Sequence, residues 1–257
     1  MIFYGLNIER NGSVYMISSY AMKEKLKPTN LFRLFSYKRK FAKEHPNYFY
    51  PDGLLIFVGA QGSGKTLSAV NYVYMLLKMY PKAIIVTNTI LNDYPIDNER
   101  VFYFNNADDL AKYNNGEYGV IFFIDEIQLY FNSLKSKNIN MDVMTQISQQ
   151  RKQRKHIVAT SQVFGRMAKP LREQFSNVIL CKCYLDTLQC NLMIDRDSME
   201  GDSSTDTNIS GKVKKKFWYF RSPIMFKRYD TYSIIQNKDL KYSVESQNIY
   251  GGESYVS

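Results

Sequence analysis

The stretch Gly59 to Thr66, GAQGSGKT, constrains this chain more than any other, because it dictates a local backbone and a surrounding topology together. It follows the apolar run LLIFVG and opens a helical stretch. That strand–loop–helix setting is the one in which the pattern G-x-x-x-x-G-K-[ST] grips phosphate. Glycines let the loop curl so that the backbone N–H groups of Gly59, Ala60, Gln61, Gly62, Ser63 and Gly64 turn inward, and the helix N-terminus adds favourable partial charge. Lys65 is then expected to reach the β- and γ-phosphates of ATP, and the Thr66 hydroxyl to ligate Mg²⁺.

A phosphate loop needs an acidic partner on another strand of the sheet. Gly119 to Glu126, GVIFFIDE, supplies one: an apolar strand whose acidic end emerges at the carboxyl edge of the sheet, where ligands of open α/β sheets bind. Asp125 is expected to hold the Mg²⁺ shell, and Glu126 to orient or deprotonate the attacking water. An Asp-Glu pair that only caps the next helix is the plainer alternative. The strand HIVATSQ ends in Thr160, Ser161 and Gln162, so Gln162 is a candidate sensor of the γ-phosphate or lytic water.

From Leu54 onward, short apolar runs bounded by turn residues alternate with helical stretches, which is how buried parallel strands read. Strands are expected near 54–59, 83–88, 120–125, 156–161 and 177–184. Helices are expected after the first strand, over about 140–154, and over about 164–175. Residues 188–194 and 217–220 read as a hairpin added to the sheet. Between them, 199–212 is too polar to repay the entropy of ordering. The expected organisation is a basic aromatic extension (1–50), a P-loop ATPase core (51–186), a hairpin extension (187–241) with its mobile loop, and a polar tail (242–257).

A formal charge of +10 fits a polyanionic partner, either nucleic acid or an acidic membrane surface. No run approaches the roughly 18 apolar residues of a spanning helix, and Glu9 and Arg10 interrupt the place where a signal peptide stays apolar, so a cytoplasmic protein is expected. Cys181, Cys183 and Cys190 lack zinc-ligand spacing and read as reduced thiols. In the basic run from Gln149 to Lys155, Arg151 or Arg154 is a candidate arginine finger toward a neighbouring subunit or a contact to nucleic-acid phosphates; the alternative is cations complementing a helix C-terminus. Arg172 is a weaker candidate. Thr29 or Asn30 is expected to cap a helix that puts Leu31, Leu34 and Phe35 on one face, either for packing or for a membrane or nucleic-acid contact.

The combination GAQGSGKT, FFIDEIQ, QQRKQRK and HIVATSQ, followed by Lys169, Pro170, Leu171 and Arg172, resembles the Zot-like (zonular occludens toxin) ATPases of filamentous phages, within the broader FtsK and HerA group. The likeness spans roughly residues 52–185, with a further echo at Tyr229 to Thr231. It implies an α/β P-loop core of the additional-strand type, with a mostly parallel sheet and the Gln162 strand between the two nucleotide-site strands. It further implies a homo-oligomeric ring serving virion morphogenesis, extrusion or genome packaging. The transmembrane helix usual in filamentous-phage members has no counterpart run here, which shifts the expectation toward DNA packaging or translocation in the host cytoplasm, with contact to a capsid or an acidic membrane. A P-loop small-molecule kinase and a membrane-peripheral, ATP-gated assembly factor are the competing classes.

Overall fold

The computed structural model describes residues 7–10, 13–16, 28–51, 53–93, 95–131, 147, 149–150, 152–195, 198 and 211–229. The chain divides into two units, Met1–Pro46 and Asn47–Ser257. The first contains an antiparallel pair, β1 (Asn7–Arg10) with β2 (Ser13–Met16), and helix α1 (Pro28–Glu44). The helix begins one residue before the expected caps: Pro28 opens it, because a first-turn residue gives up no intrahelical N–H bond. Thr29 and Asn30 lie inside the first turn. Leu31, Leu34 and Phe35, expected to share one face, are 56%, 50% and 65% exposed, so they do not form a buried packing stripe.

The second unit is built on an 8-stranded sheet in the order β10-β9-β8-β3-β7-β6-β4-β5. Its strands are β3 (Gly53–Val58), β4 (Ile84–Thr87), β5 (Val101–Tyr103), β6 (Val120–Ile124), β7 (Lys155–Ser161), β8 (Phe175–Tyr184), β9 (Leu188–Asp195) and β10 (Val213–Phe220). All are parallel to their neighbours except β9 and β10, which fold back antiparallel as the expected hairpin extension. The fold is therefore a mostly parallel α/β P-loop fold, and β7 lies between β3 and β6 as the additional-strand arrangement requires.

Alternation along the strands sends side chains to two cores. Leu55, Phe57 and Ile179 pack with Val70, Val73, Tyr74 and Leu77 of helix α2 (Lys65–Met79) on one side. Leu54, Ile56, Val58, Phe122 and Ile124 pack with Phe131, Leu171 and Phe175 on the other. Every residue of β6 is buried, which is why VIFFI carries no polar alternation. Each such Leu, Ile or Phe contributes about 1.5–3 kcal/mol of burial, which anchors the strands that carry the site.

Three expectations need correction. A helix over 164–175 is replaced by a 3₁₀ turn (Phe164–Arg166) and the short α4 (Lys169–Arg172), with β8 already under way at Phe175. Pro170 is the cause, since it can begin a helix but not sit within one. The helix expected over 140–154 lies largely outside the described residues, and its end is a turn: Lys152, Gln153 and Arg154 are not helical, and Arg154 has φ 51°. The edge strand β5 was not anticipated, because three residues carry too little periodicity to register. The short helices α3 (Asp109–Lys112) and α5 (Pro223–Lys227) complete the unit. Of the loop expected over 199–212, residues 199–210 lie outside the described residues, as do the tail from 242, and Asp230 and Thr231.

Gly119, at the entry to β6, has φ 74° and ψ 167°, a region essentially restricted to glycine. A Cβ there would lie 2.2 Å from the ring of Phe49, which is 2% exposed. Backbone strain and overpacking together predict that Gly119→Ala destabilises the fold by about 3 kcal/mol, lowering Tm by roughly 10 °C in a thermal melt. A melt within a degree or two of the parent would show that Phe49 can move aside.

Candidate nucleotide site

Each functional side chain is delivered by the carboxyl end of a parallel strand or by the turn that leaves it. The loop after β3 has Gly59, Gly62 and Gly64 at φ 153°, 78° and 83°. Gly64, left-handed, is the residue from which α2 starts. It has no room for a side chain, since a Cβ would lie 2.3 Å from Gln189 Oε1 and 2.4 Å from an Arg221 Nη. The first turn of α2 then presents Lys65 and Thr66, with the backbone amides of the loop at the positive end of the helix dipole.

β6 lies two strands away, yet its acids meet that loop. Thr66 Oγ1 donates to Asp125 Oδ1 at 3.0 Å, and Lys65 Nζ stands 4.0 Å from Glu126 Oε1. Asp125 is fixed from both sides: Asn88, just past β4, donates from Nδ2 to its carbonyl and accepts from its N–H, each at 2.8 Å. Thr160 near the end of β7 accepts from the Glu126 N–H at 2.9 Å and donates its hydroxyl hydrogen to Asp125 Oδ1. Glu126 itself is left-handed, with φ 51°. That costly conformation, held by Thr160, turns its carboxylate back toward Lys65. Gln162 Nε2 donates to Glu126 Oε1 at 3.3 Å, and Gln128 donates to the other carboxylate oxygen.

Burial pushes the Asp125 carboxyl upward, and the nearby Glu126 adds to this; the Thr160 and Thr66 hydroxyls and the Lys65 charge act in the opposite direction. A buried carboxylate met by two neutral hydroxyls, with oxygen donors only, suits a small hard cation such as Mg²⁺. Thr66 and Asp125 are the residues that would hold it.

These side chains face one cavity of about 310 Å³, lined by Gln61, Gly62, Gly64, Lys65, Thr66, Asp125, Glu126 and Gln162, together with Thr89, Arg221, Phe226 and Tyr229. Lys65, Thr66, Asp125, Glu126 and Gln162 are thus brought together, while Gly59, Ala60 and Ser63 shape the loop behind them. Arg151 lies outside the described residues. Arg154 is not brought to this chain's own site. It precedes β7 at the amino edge of the sheet, about 25 Å of strand rise from Gln162. Its guanidinium sits 4.5 Å over the Tyr48 ring and donates to Gly116 O at 3.3 Å. Lys155 is spent inside as well, donating to Leu110 O at 2.6 Å, and burial lowers its pKa.

Arg221, which sequence reasoning missed, takes the position beside the loop. It follows β10 and reaches back to Gly62 O at 3.3 Å and Gln189 Oε1 at 2.8 Å, while Gln189 Nε2 donates to Ser63 O at 2.9 Å. No local pattern announces a contact across 159 residues; it exists because β9 and β10 return alongside β8. Asn88 was legible in principle, as a polar residue at the carboxyl end of a parallel strand. Arg221→Ala frees the loop carbonyl and removes a cation from the cavity, so ATP affinity should fall about tenfold in a fluorescent-nucleotide titration. Unaltered affinity would mean that the hairpin does not shape the loop.

No model of a protein family matches this sequence, and no curated protein matches it. Among solved structures, the chain is similar to the N-terminal domain of zonular occludens toxin from Neisseria meningitidis, at 14% identity and a TM-score of 0.47, over 70% of this chain and 100% of that one. It is also similar to the genome packaging NTPase B204 of Sulfolobus turreted icosahedral virus 2 in complex with AMPPCP, at 14% identity and a TM-score of 0.41, over 51% and 76%. A third is Thermotoga maritima RuvB, at 18% identity and a TM-score of 0.35, over 62% and 46%. Among the described residues, no helix is long and apolar enough to cross a membrane.

Proposed function

We propose that this chain hydrolyses ATP and couples the turnover to moving DNA, as a packaging or translocation motor of a phage or mobile element that works as a homo-oligomeric ring. The observation that carries the hydrolytic part is the placement of the Glu126 carboxylate, opposite Lys65 and bonded to Gln162, in the cavity that Thr66 and Asp125 also face. A phosphate loop alone binds; an acid held beside the γ-phosphate position activates water.

Lys65 and the loop amides hold the β- and γ-phosphates. Thr66 and Asp125 would hold Mg²⁺, which would supply neutralisation of the triphosphate's charge. Glu126 accepts a proton from water as the water oxygen bonds to the γ-phosphorus and the bond to the β-bridging oxygen breaks. Gln162 and Gln128 keep the carboxylate aimed, and Gln162 is placed to respond when the γ-phosphate leaves.

The DNA-moving part draws on the resemblance described above and on the charge of +10. Contact with a capsid or an acidic membrane belongs to the same proposal. Phosphate release measured with single-stranded DNA, duplex DNA and RNA, alongside the mass in solution, tests it. The expected result is free phosphate released severalfold faster with DNA by an oligomer. A monomer whose turnover ignores DNA would remove the motor, and a phosphorylated small acceptor in place of free phosphate would make the protein a kinase.

A further inference from the structure

The hairpin that clamps the phosphate loop with one face carries an unusual surface on the other. Register aligns Lys182, Cys190 and Trp218 across β8, β9 and β10, and next to them Tyr184, Leu188 and Phe220. Leu180, Leu192 and Lys216 form the row behind. Two-residue alternation places all of these on the same side of the sheet. The residues between them, Gln189, Asn191 and Tyr219, point to the side of α2 and the phosphate loop, where Tyr219 and Asn191 bond Ser68 and Gln189 bonds Ser63.

On the outer side, Tyr184 is 45%, Trp218 54% and Phe220 75% exposed. The Tyr184 and Trp218 rings stack with centroids 5.8 Å apart. Lys182 and Lys216 are exposed around them. Lys214 is engaged with Asp195 at 2.9 Å, and Asp186 stands in the β8–β9 turn. The surface continues into a second cavity, of about 630 Å³, shared by Lys182, Tyr184 and Asp186 with Gly59 to Ser63 of the phosphate loop.

We infer that this face of β8, β9 and β10 binds a single-stranded polynucleotide, with bases stacking on Trp218, Tyr184 and Phe220 and phosphates meeting Lys182 and Lys216. Open aromatic rings with lysines interleaved at strand spacing provide the two contacts that single strands offer at once, π-faces and a charged backbone. A duplex hides its base faces and cannot use the rings. A bilayer surface could take the rings, but Lys182 shares a row with Trp218 and would enter the apolar layer with it. The inference rests on the DNA-moving reading and deepens it: Phe220 adjoins Arg221 and Cys190 adjoins Gln189, so a strand bound here lies one residue from both groups that hold the loop.

Trp218 is the chain's single tryptophan, so its emission reports this surface and no other. Titration of the full chain with oligo-dT should quench or shift that emission saturably, while a blunt duplex of equal length should do neither. Lys182→Ala with Lys216→Ala changes two exposed residues and leaves the fluorophore in place. It should weaken oligo-dT binding about tenfold and lower the salt dependence, the slope of log K against log salt, by about 1.4, as loss of two single-strand phosphate contacts requires. Trp218→Ala, followed with labelled oligonucleotide, should lose about tenfold as well. Binding of labelled oligo-dT without any change in Trp218 emission, or with the lysine variant at parental affinity and slope, would place the strand elsewhere and overturn the inference, while DNA-stimulated hydrolysis would still stand. A blue shift with anionic phospholipid vesicles and none with oligo-dT would make the face a membrane contact, and would overturn it too. If DNA neither binds nor stimulates hydrolysis, the motor reading falls first and this inference with it.

Discussion

Glu126→Gln should bind ATP at least as tightly as the parent and hydrolyse it roughly 10²- to 10⁴-fold more slowly, the usual worth of a positioned general base. The substitution is isosteric, and the Thr160 bond that fixes this residue goes to its backbone N–H, so the left-handed turn survives. Loss of the negative charge also frees Lys65, which stands 4.0 Å from that carboxylate, to bind phosphate alone. Two amide donors, from Gln162 and Gln128, address the carboxylate oxygens; a glutamine has one oxygen to offer, so one of those amides must flip to present its own. The checks are phosphate release under saturating ATP and retention of labelled ATP on the variant. Turnover near the parental rate would remove Glu126 as the base, and among its neighbours Gln162 cannot replace it, since an amide does not take up the proton.

The phosphate loop and the β6 acids were legible because their chemistry is local. Curling backbone amides around phosphate needs Gly62 and Gly64 at positive φ within a few residues of Lys65, and a buried parallel strand shows as the unbroken apolar run that ends in Asp125. The place of β7 between β3 and β6 came from the resemblance alone, which could be applied because each of these strands ends in a recognisable polar signature. Arg221 and Gln189 were not, because their place depends on β9 and β10 turning back beside β8, which no window of sequence encodes. Leu185 and Asp186 sit at φ 50° and 52° in that tight turn, although Leu is a poor residue for it, so the usual Asn-Gly signal is missing. Arg154 stays away from this chain's own site for a physical reason too. A basic run beside a nucleotide motif suggests phosphate, but adjacency in sequence to β7 means the amino edge of the sheet, a full strand length from the chemistry.

Lys65→Ala separates binding from hydrolysis in the opposite sense to Glu126→Gln. The lysine side chain is 7% exposed, held between Ala60 O at 3.5 Å and Glu126 Oε1 at 4.0 Å, so its ammonium is presented to a ligand with little water left to lose. Removing it withdraws contacts to two phosphates, each charge-assisted bond worth about 1.5–3 kcal/mol. It also leaves Asp125 and Glu126 facing a triphosphate with Arg221, on the far side of Gly62, as the cation that remains among the described residues lining the cavity. ATP affinity should therefore fall by roughly 10²-fold or more and turnover should vanish with it, whereas the melting temperature without nucleotide should hold, because the loop's shape rests on Gly64, Gln189 and Arg221. Equilibrium titration and a thermal melt on the same preparation read both. Parental affinity in this variant would mean that the loop amides and Arg221 carry the triphosphate alone, and the assignment of Lys65 to the β- and γ-phosphates would be lost.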